Sequence, residues 1–301
     1  MTEAPEATDD ELPGEELEED EEAREEDALA ERALTTDDRQ LPLAQAEDLA
    51  GEGVLDVVLL VGEPETGKTT LLVALWDALL AQGAIGTAML AGSRTALGFE
   101  RRAWLSRLLS NGERRDTLRT YQEDNGFVHL RLLADAEIHE VLLSDIAGET
   151  FRQVREGASF SDKLPWLGRA DSALLCVDGA SLADGARRST ALTNARVLLR
   201  QLTLARGDRG LRLAIVLTMA DLVTDNVRRR WNDGRESLMS LARELDVDAV
   251  ALETSARADP PLGLEELVSW ILEEPRIETP ISTPGKRPSR VSARTVSGGK
   301  P

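Results

Sequence analysis

Gly62-Glu63-Pro64-Glu65-Thr66-Gly67-Lys68-Thr69 follows the apolar run Val54-Leu-Asp-Val-Val-Leu-Leu-Val61 and precedes the helix-like stretch Leu71 to Ala81. An octapeptide of the form G-x-x-x-x-G-K-[ST] between a buried strand and a helix is the loop that cradles phosphates. Its glycines let the backbone curl so that successive N–H groups, helped by the helix N-terminus, face phosphate oxygens. Gly62, Glu65, Thr66, Gly67, Lys68, Thr69 and Thr70 are the candidate contacts of that loop. Lys68 is expected to reach the β- and γ-phosphates, and the Thr69 hydroxyl to coordinate Mg²⁺.

Working outward, short apolar runs alternate with longer helical patterns. Phe127 to Leu133 and Ile138 to Ser144 are separated only by Ala134-Asp-Ala-Glu137, too short for a helix, which predicts an antiparallel hairpin. Strands are then expected at Ser172 to Val177, Leu211 to Leu217 and Val247 to Leu252, with helices at Arg187 to Arg206, Val227 to Leu245 and Leu264 to Glu273. The expected fold is α/β: six strands in a mostly parallel sheet with one antiparallel strand and helices on both faces.

The run Val141-Leu-Leu-Ser-Asp145-Ile-Ala-Gly148-Glu149 ends a strand with D-x-x-G. A carboxylate there holds Mg²⁺, usually through water, and the Gly148 N–H can report whether a γ-phosphate is present. The alternative is a plain strand-to-loop turn. Two further strand ends carry Thr218-Met-Ala-Asp221 and Glu253-Thr-Ser255-Ala256-Arg257.

Together, in this order, these four segments resemble the guanine-nucleotide-binding fold of Ras-like and translation-factor GTPases of the TRAFAC class, over about residues 53–275. The segment Ala91-Gly-Ser-Arg-Thr-Ala-Leu-Gly-Phe-Glu-Arg-Arg102 is similar to a signature of the bacterial double-GTPase-like domains. The resemblance implies binding of GTP and GDP with Mg²⁺. Asp221 would take both donor protons of guanine N1 and N2, with Thr218 and Ser255 beside it, and the Ala256 N–H would meet guanine O6. It also implies a switch threonine on the metal, for which Thr95 is preferred over Thr87, and a catalytic set of Lys68, Glu149 and Thr95. Two positions depart from the pattern. Met219 replaces a lysine whose stem covers the base and whose amine braces the phosphate loop. Glu149 replaces the glutamine that orients the attacking water, and it adds negative charge near the γ-phosphate.

The alternatives are a module that holds nucleotide without turning it over, favoured by Met219 and Glu149, and an ATP-using P-loop enzyme. The loops at about 86–102 and 146–165 are expected to change with the nucleotide and to be read by a protein effector. Arg94, Arg101, Arg102, Arg152 and Arg155 flank those loops, as surface or salt-bridged side chains or, for one of them, an arginine finger in cis.

The net charge of −20 is uneven. Residues 1–27 hold fifteen acidic side chains and one arginine, and residues 276–301 hold six basic side chains and one acidic, which leaves −11 between. Residues 1–50 read as an acidic disordered tail, 51–275 as the P-loop domain and 276–301 as a basic, Pro/Ser-rich tail. The moderately acidic middle offers no field for nucleic acid. No apolar run reaches the roughly 20 residues of a membrane span, and the N-terminus lacks a secretory pattern. With the lone Cys176 in an apolar run, the expected location is cytoplasmic. His129 and His139 read as strand histidines, and tryptophans 76, 104, 166, 231 and 270 as core or interface anchors.

Overall fold

The computed structural model describes Leu41 and residues 55–109, 126–207 and 210–273, with backbone alone for 104–109. The acidic and basic stretches expected at the two ends lie outside the described residues, Leu41 excepted. In chain order the elements are β1 (Leu55–Val61), α1 (Lys68–Gln82), β2 (Ala84–Ile85), β3 (Ala88–Gly92), α2 (Ala96–Leu109), β4 (Gly126–Ala134), β5 (Glu137–Asp145), α3 (Gly148–Arg155) and α4 (Phe160–Lys163). There follow β6 (Ser172–Asp178), α5 (Gly179–Ala183), α6 (Arg188–Arg206), β7 (Arg212–Thr218), α7 (Asp225–Glu244), β8 (Asp248–Glu253) and α8 (Leu264–Leu272).

The strands form one mixed sheet in the order β2-β3-β4-β5-β1-β6-β7-β8. Strand β1 pairs in parallel with β5 and β6, and β6-β7 and β7-β8 continue in parallel. The expected hairpin is present, β4 against β5 from Gly126↔Asp145 to Ala134↔Glu137. Its two-residue turn, Asp135-Ala136, has φ of 50° and 63°. Both residues being left-handed matches the turn twist that two-residue hairpins favour.

The expectation of six strands is corrected to eight among the described residues. Strands β2 and β3, antiparallel to each other and with β3 antiparallel to β4, extend one edge. They have two and five residues, largely alanine and glycine, too short and too poor in branched side chains for an alternating pattern to register. Two strands, β2 and β4, therefore run against the rest instead of one. The stretch read as a loop at about 86–102 is mostly β3 and the start of α2. Phe99 and Ala103, one helical turn apart, are both fully buried, and their spacing is the signal of that helix.

Side chains alternate across the sheet between two apolar layers. Val57, Leu59, Val61, Leu213, Ile215 and Leu217 pack on one face with Leu198 and Leu202 of α6 and Trp231 and Leu238 of α7. Val58, Leu60, Ala214 and Val216 pack on the other with Leu71 and Leu75 of α1, Phe99 of α2 and Trp270 of α8. Leu41, inside the segment assigned to the acidic tail, is 2% exposed, and its N–H and C=O exchange bonds with Phe127 at 2.8 and 3.2 Å. The core thus draws on a residue before position 51.

Candidate functional site

The loop of residues 62–67 joins the C-terminal end of central β1 to α1. Gly67 has φ 78°, a left-handed conformation suited to glycine, and its carbonyl accepts the Leu71 N–H at 2.8 Å, so the helix starts at Lys68 itself. The Lys68 side chain folds back over the loop. Its Nζ donates to the carbonyls of Gly62 (2.8 Å) and Glu63 (3.0 Å) and lies 5.6 Å from the Phe151 ring centroid. Burial pushes the Lys68 ammonium down from the ordinary lysine range; Cys176, Asp145, Glu149 and Glu63 pull it back up. The cation therefore lies where anionic charge is favoured. Burial pushes the neighbouring Cys176 thiol up to about 12, which makes it an inert core group.

Thr69, in the first turn of α1, and Asp145, at the end of β5, meet: the threonine Oγ1 donates to Asp145 Oδ1 at 3.0 Å. The other carboxylate oxygen accepts from Arg102 Nε of α2 at 2.9 Å, and the Asp145 side chain is 1% exposed. Among the described residues no group of three or more His, Cys, Asp or Glu is arranged to hold a metal ion. A Mg²⁺ site built on one hydroxyl and one carboxylate suits that ion only when phosphate and water complete the oxygen shell. The buried carboxylate, already demanding a cation, fits such a group.

Beyond Asp145, Gly148 starts α3 against the phosphate loop. A methyl on it would stand 2.3 Å from Pro64 N and 2.4 Å from Pro64 Cα, so only glycine permits that approach. Glu149 follows in the first turn of α3, half-buried. Arg155, at the other end of α3, donates to Glu63 Oε1 at 2.7 Å, fastening α3 to the loop a second time. Thr95 is 3% exposed: its Oγ1 accepts the His129 N–H at 2.8 Å, while the Ser93 hydroxyl accepts the Thr95 N–H at 3.0 Å. The hydroxyl is committed to β4 and is not joined to Thr69 and Asp145 in this arrangement. Thr87 is exposed in the turn between β2 and β3.

On the opposite flank of the loop a cavity of about 60 Å³ is lined by Gly67, Thr70, Thr218, Met219, Asp221, Ser255 and Ala256, among others. Asp221 accepts a short hydrogen bond from the Ser255 hydroxyl, which orients its exposed carboxylate. Ala220 N donates to Thr254 O at 3.0 Å, tying the turn after β7 to the turn after β8. The Thr218 hydroxyl donates to Thr66 O at 2.8 Å, and the Met219 methyl lies 3.4 Å from where a Cβ on Gly67 would be. The loop brace expected of a lysine at position 219 is supplied here by Thr218, while methionine keeps the apolar contact. A larger cavity, about 320 Å³, opens beside Glu63–Thr66 with Arg152, Asp178 and Arg187. It contains none of Lys68, Thr69, Asp145 or Asp221, so size does not mark the site.

A protein-family profile described as Double-GTPase 2 matches residues 56–271, from the start of β1 to the end of α8, and so spans every group just described. The chain belongs to the Double-GTPase 2 family. A search among curated proteins gives no match. Within this Double-GTPase 2 domain, sequence reasoning picked out the phosphate loop, Asp145, Gly148 and the turns at 218–221 and 253–256. It did not single out the pairing of Arg102 with Asp145 or of Arg155 with Glu63, because those partners are 43 and 92 positions apart and nothing local couples them. No described helix is long and apolar enough to cross a membrane.

Proposed function

We propose that this Double-GTPase 2 domain is a cytoplasmic guanine-nucleotide switch that binds GTP and GDP with Mg²⁺, hydrolyses GTP slowly and is read by a protein partner. The observation that carries the proposal is the continuity of the site. Gly67 lines the small cavity beside Asp221, Ser255 and Ala256, and the next residues, Lys68 and Thr69, lead to Asp145.

In this reading the loop amides and Lys68 clamp the phosphates, and Lys68 exchanges its two carbonyl acceptors for phosphate oxygens. Asp221, oriented by Ser255, accepts the N1 and N2 protons of guanine, while the Ala256 N–H donates to O6. Thr69 and Asp145 would hold the metal, which when bound neutralises charge developing on the phosphates. Gly148 can come close enough to the loop to register a γ-phosphate. Glu149 can orient water but cannot donate to the phosphate, which keeps hydrolysis slow. Thr95 could join the metal only by leaving His129. The sequence segments 86–102 and 146–165, now α2, α3 and their junctions, would carry the readout. The nucleotide-binding unit would run from Leu41 to about residue 275, between charged tails.

A module that holds nucleotide without turning it over is the second reading. It is favoured by Glu149, whose carboxylate cannot donate to a γ-phosphate, and by Met219 in place of a lysine. Single-turnover phosphate release from the full chain loaded with GTP and Mg²⁺ decides between them. Measurable release lost in Lys68→Ala supports the slow switch; tight GTP binding with no release above the solution rate supports the second reading.

A further inference from the structure

Asp145 is a buried carboxylate with both oxygens engaged: Oδ1 by Thr69 and Oδ2 by Arg102. Arg102 comes from α2, a helix that contributes nothing to the phosphate loop. It also donates from Nη1 to Gly98 O at 2.9 Å, which fixes the guanidinium against its own helix. One turn earlier, Phe99 stacks on Trp76 of α1 with ring centroids 4.7 Å apart and 6° between planes, and Trp76 Nε1 donates to Glu100 Oε1 at 2.7 Å. The ring stack thus docks α2 onto α1, while the guanidinium docks it onto the carboxylate at the end of β5.

We infer that Arg102 is an internal counter-cation of Asp145, competing with Mg²⁺ for Oδ2 and thereby coupling metal occupancy to the docking of α2. This rests on the reading of Thr69 and Asp145 as the metal site. A carboxylate this buried requires a positive partner. Two cations on one carboxylate repel, and a metal, or a water it polarises, has to share Oδ2 with the bond from Arg102 Nε, so each weakens the hold of the other. Arg102 is a positioning residue: without metal it holds Asp145 in the orientation that bonds Thr69. With metal its hold on Asp145 is released, while the Trp76–Phe99–Glu100 contacts remain. The device would give the segment after β3 a metal-sensitive position without Thr95 on the ion.

The test titrates Mg²⁺ into the full chain saturated with GDP, following metal affinity by calorimetry and α2 by hydrogen exchange of residues 96–103. Arg102→Gln removes the competing charge and should tighten apparent Mg²⁺ affinity about tenfold, the scale of a hydrogen bond to a charged group. A residue that merely supports the fold would leave affinity unchanged or weaken it when removed, and either result overturns the inference. Wild-type protein supplies an arm that needs no variant. Exchange in 96–103 should speed up on adding Mg²⁺ to the GDP complex, and unchanged or slower exchange overturns the coupling. Asp145→Asn separates the two levels. If it leaves Mg²⁺ affinity at the wild-type value, the metal-site reading itself fails. If it weakens metal binding while Arg102→Gln has no effect, that reading stands and the competition is refuted.

Discussion

Lys68 is the residue on which the proposed phosphate contact turns. Its ammonium bonds two loop carbonyls and lies 5.6 Å from the Phe151 ring centroid, outside the two apolar layers of the sheet. Lys68→Ala is therefore expected to keep its melting midpoint within about 4 °C of wild type, about 1 kcal/mol for a domain of this size. The upward shift that GTP gives the wild-type protein should vanish. A normal GTP-induced shift in the variant would remove Lys68 from the phosphates. Glu149 is the second informative residue. Wild-type single-turnover hydrolysis should be at or below roughly 10⁻⁴ s⁻¹, and Glu149→Gln should raise it by relieving repulsion near the γ-phosphate. An inactive Glu149→Gln would instead make the carboxylate a base.

Elements meet the site through close approaches that only particular residues allow. The start of α3 touches the phosphate loop at Gly148, where a Cβ would overlap the Pro64 backbone. Gly148→Ala should cost about 1–3 kcal/mol by overpacking, read by chemical denaturation, and should narrow any difference in affinity between GTP and GDP. An unchanged midpoint would show that α3 does not need this contact. The junction of β3 and α2 hangs on His129. Its Nδ1 accepts the Arg94 N–H at 3.0 Å and its Nε2 meets Glu140 at 2.6 Å, which assigns the proton of the neutral ring to Nε2. Burial pushes the His129 imidazole below the ordinary histidine range, helped by Arg94 and Arg131 and opposed by Glu140. The unfolded ring takes a proton near about pH 6.5 while the folded ring resists it, so below that pH the unfolded state binds more protons and stability falls with acidification. His129→Gln should flatten the fall in melting midpoint between about pH 6.5 and 5; an unaltered slope would show that other groups set it. These contacts also mark where sequence reading stopped. The strand–loop–helix at 55–82 and the β4–β5 hairpin are written in local patterns. The pairs Thr95–His129 and Arg102–Asp145 join residues 34 and 43 positions apart and exist only once the sheet has formed.

At the scale of the whole molecule, six of the eight strands among the described residues were legible because each is an apolar run ending in a glycine-rich or polar turn. The edge strands β2 and β3 were not, being short and built of small residues. The start of the domain was set by composition at residue 51, whereas Leu41 docks on β4. Removing residues 1–37 should leave the unfolding midpoint in denaturant unchanged, because that stretch is too acidic and too poor in apolar residues to add to the core. Removing 1–50 should lower the midpoint, with a loss of unfolding free energy of about 1.5–3 kcal/mol, the worth of one buried leucine. Equal midpoints for the two truncations would show that the Leu41 pairing adds nothing. The central claim is that a single site couples a phosphate loop to a guanine-reading pocket, and competition binding tests it most directly. Labelled GDP on the full chain with Mg²⁺ is displaced by unlabelled GTP or ATP, for wild type and Asp221→Asn. GTP should compete at least tenfold better than ATP, about 1.4 kcal/mol or more, and Asp221→Asn should lose that preference. Equal competition by GTP and ATP in the wild-type protein would contradict the account and leave a P-loop that does not read the base.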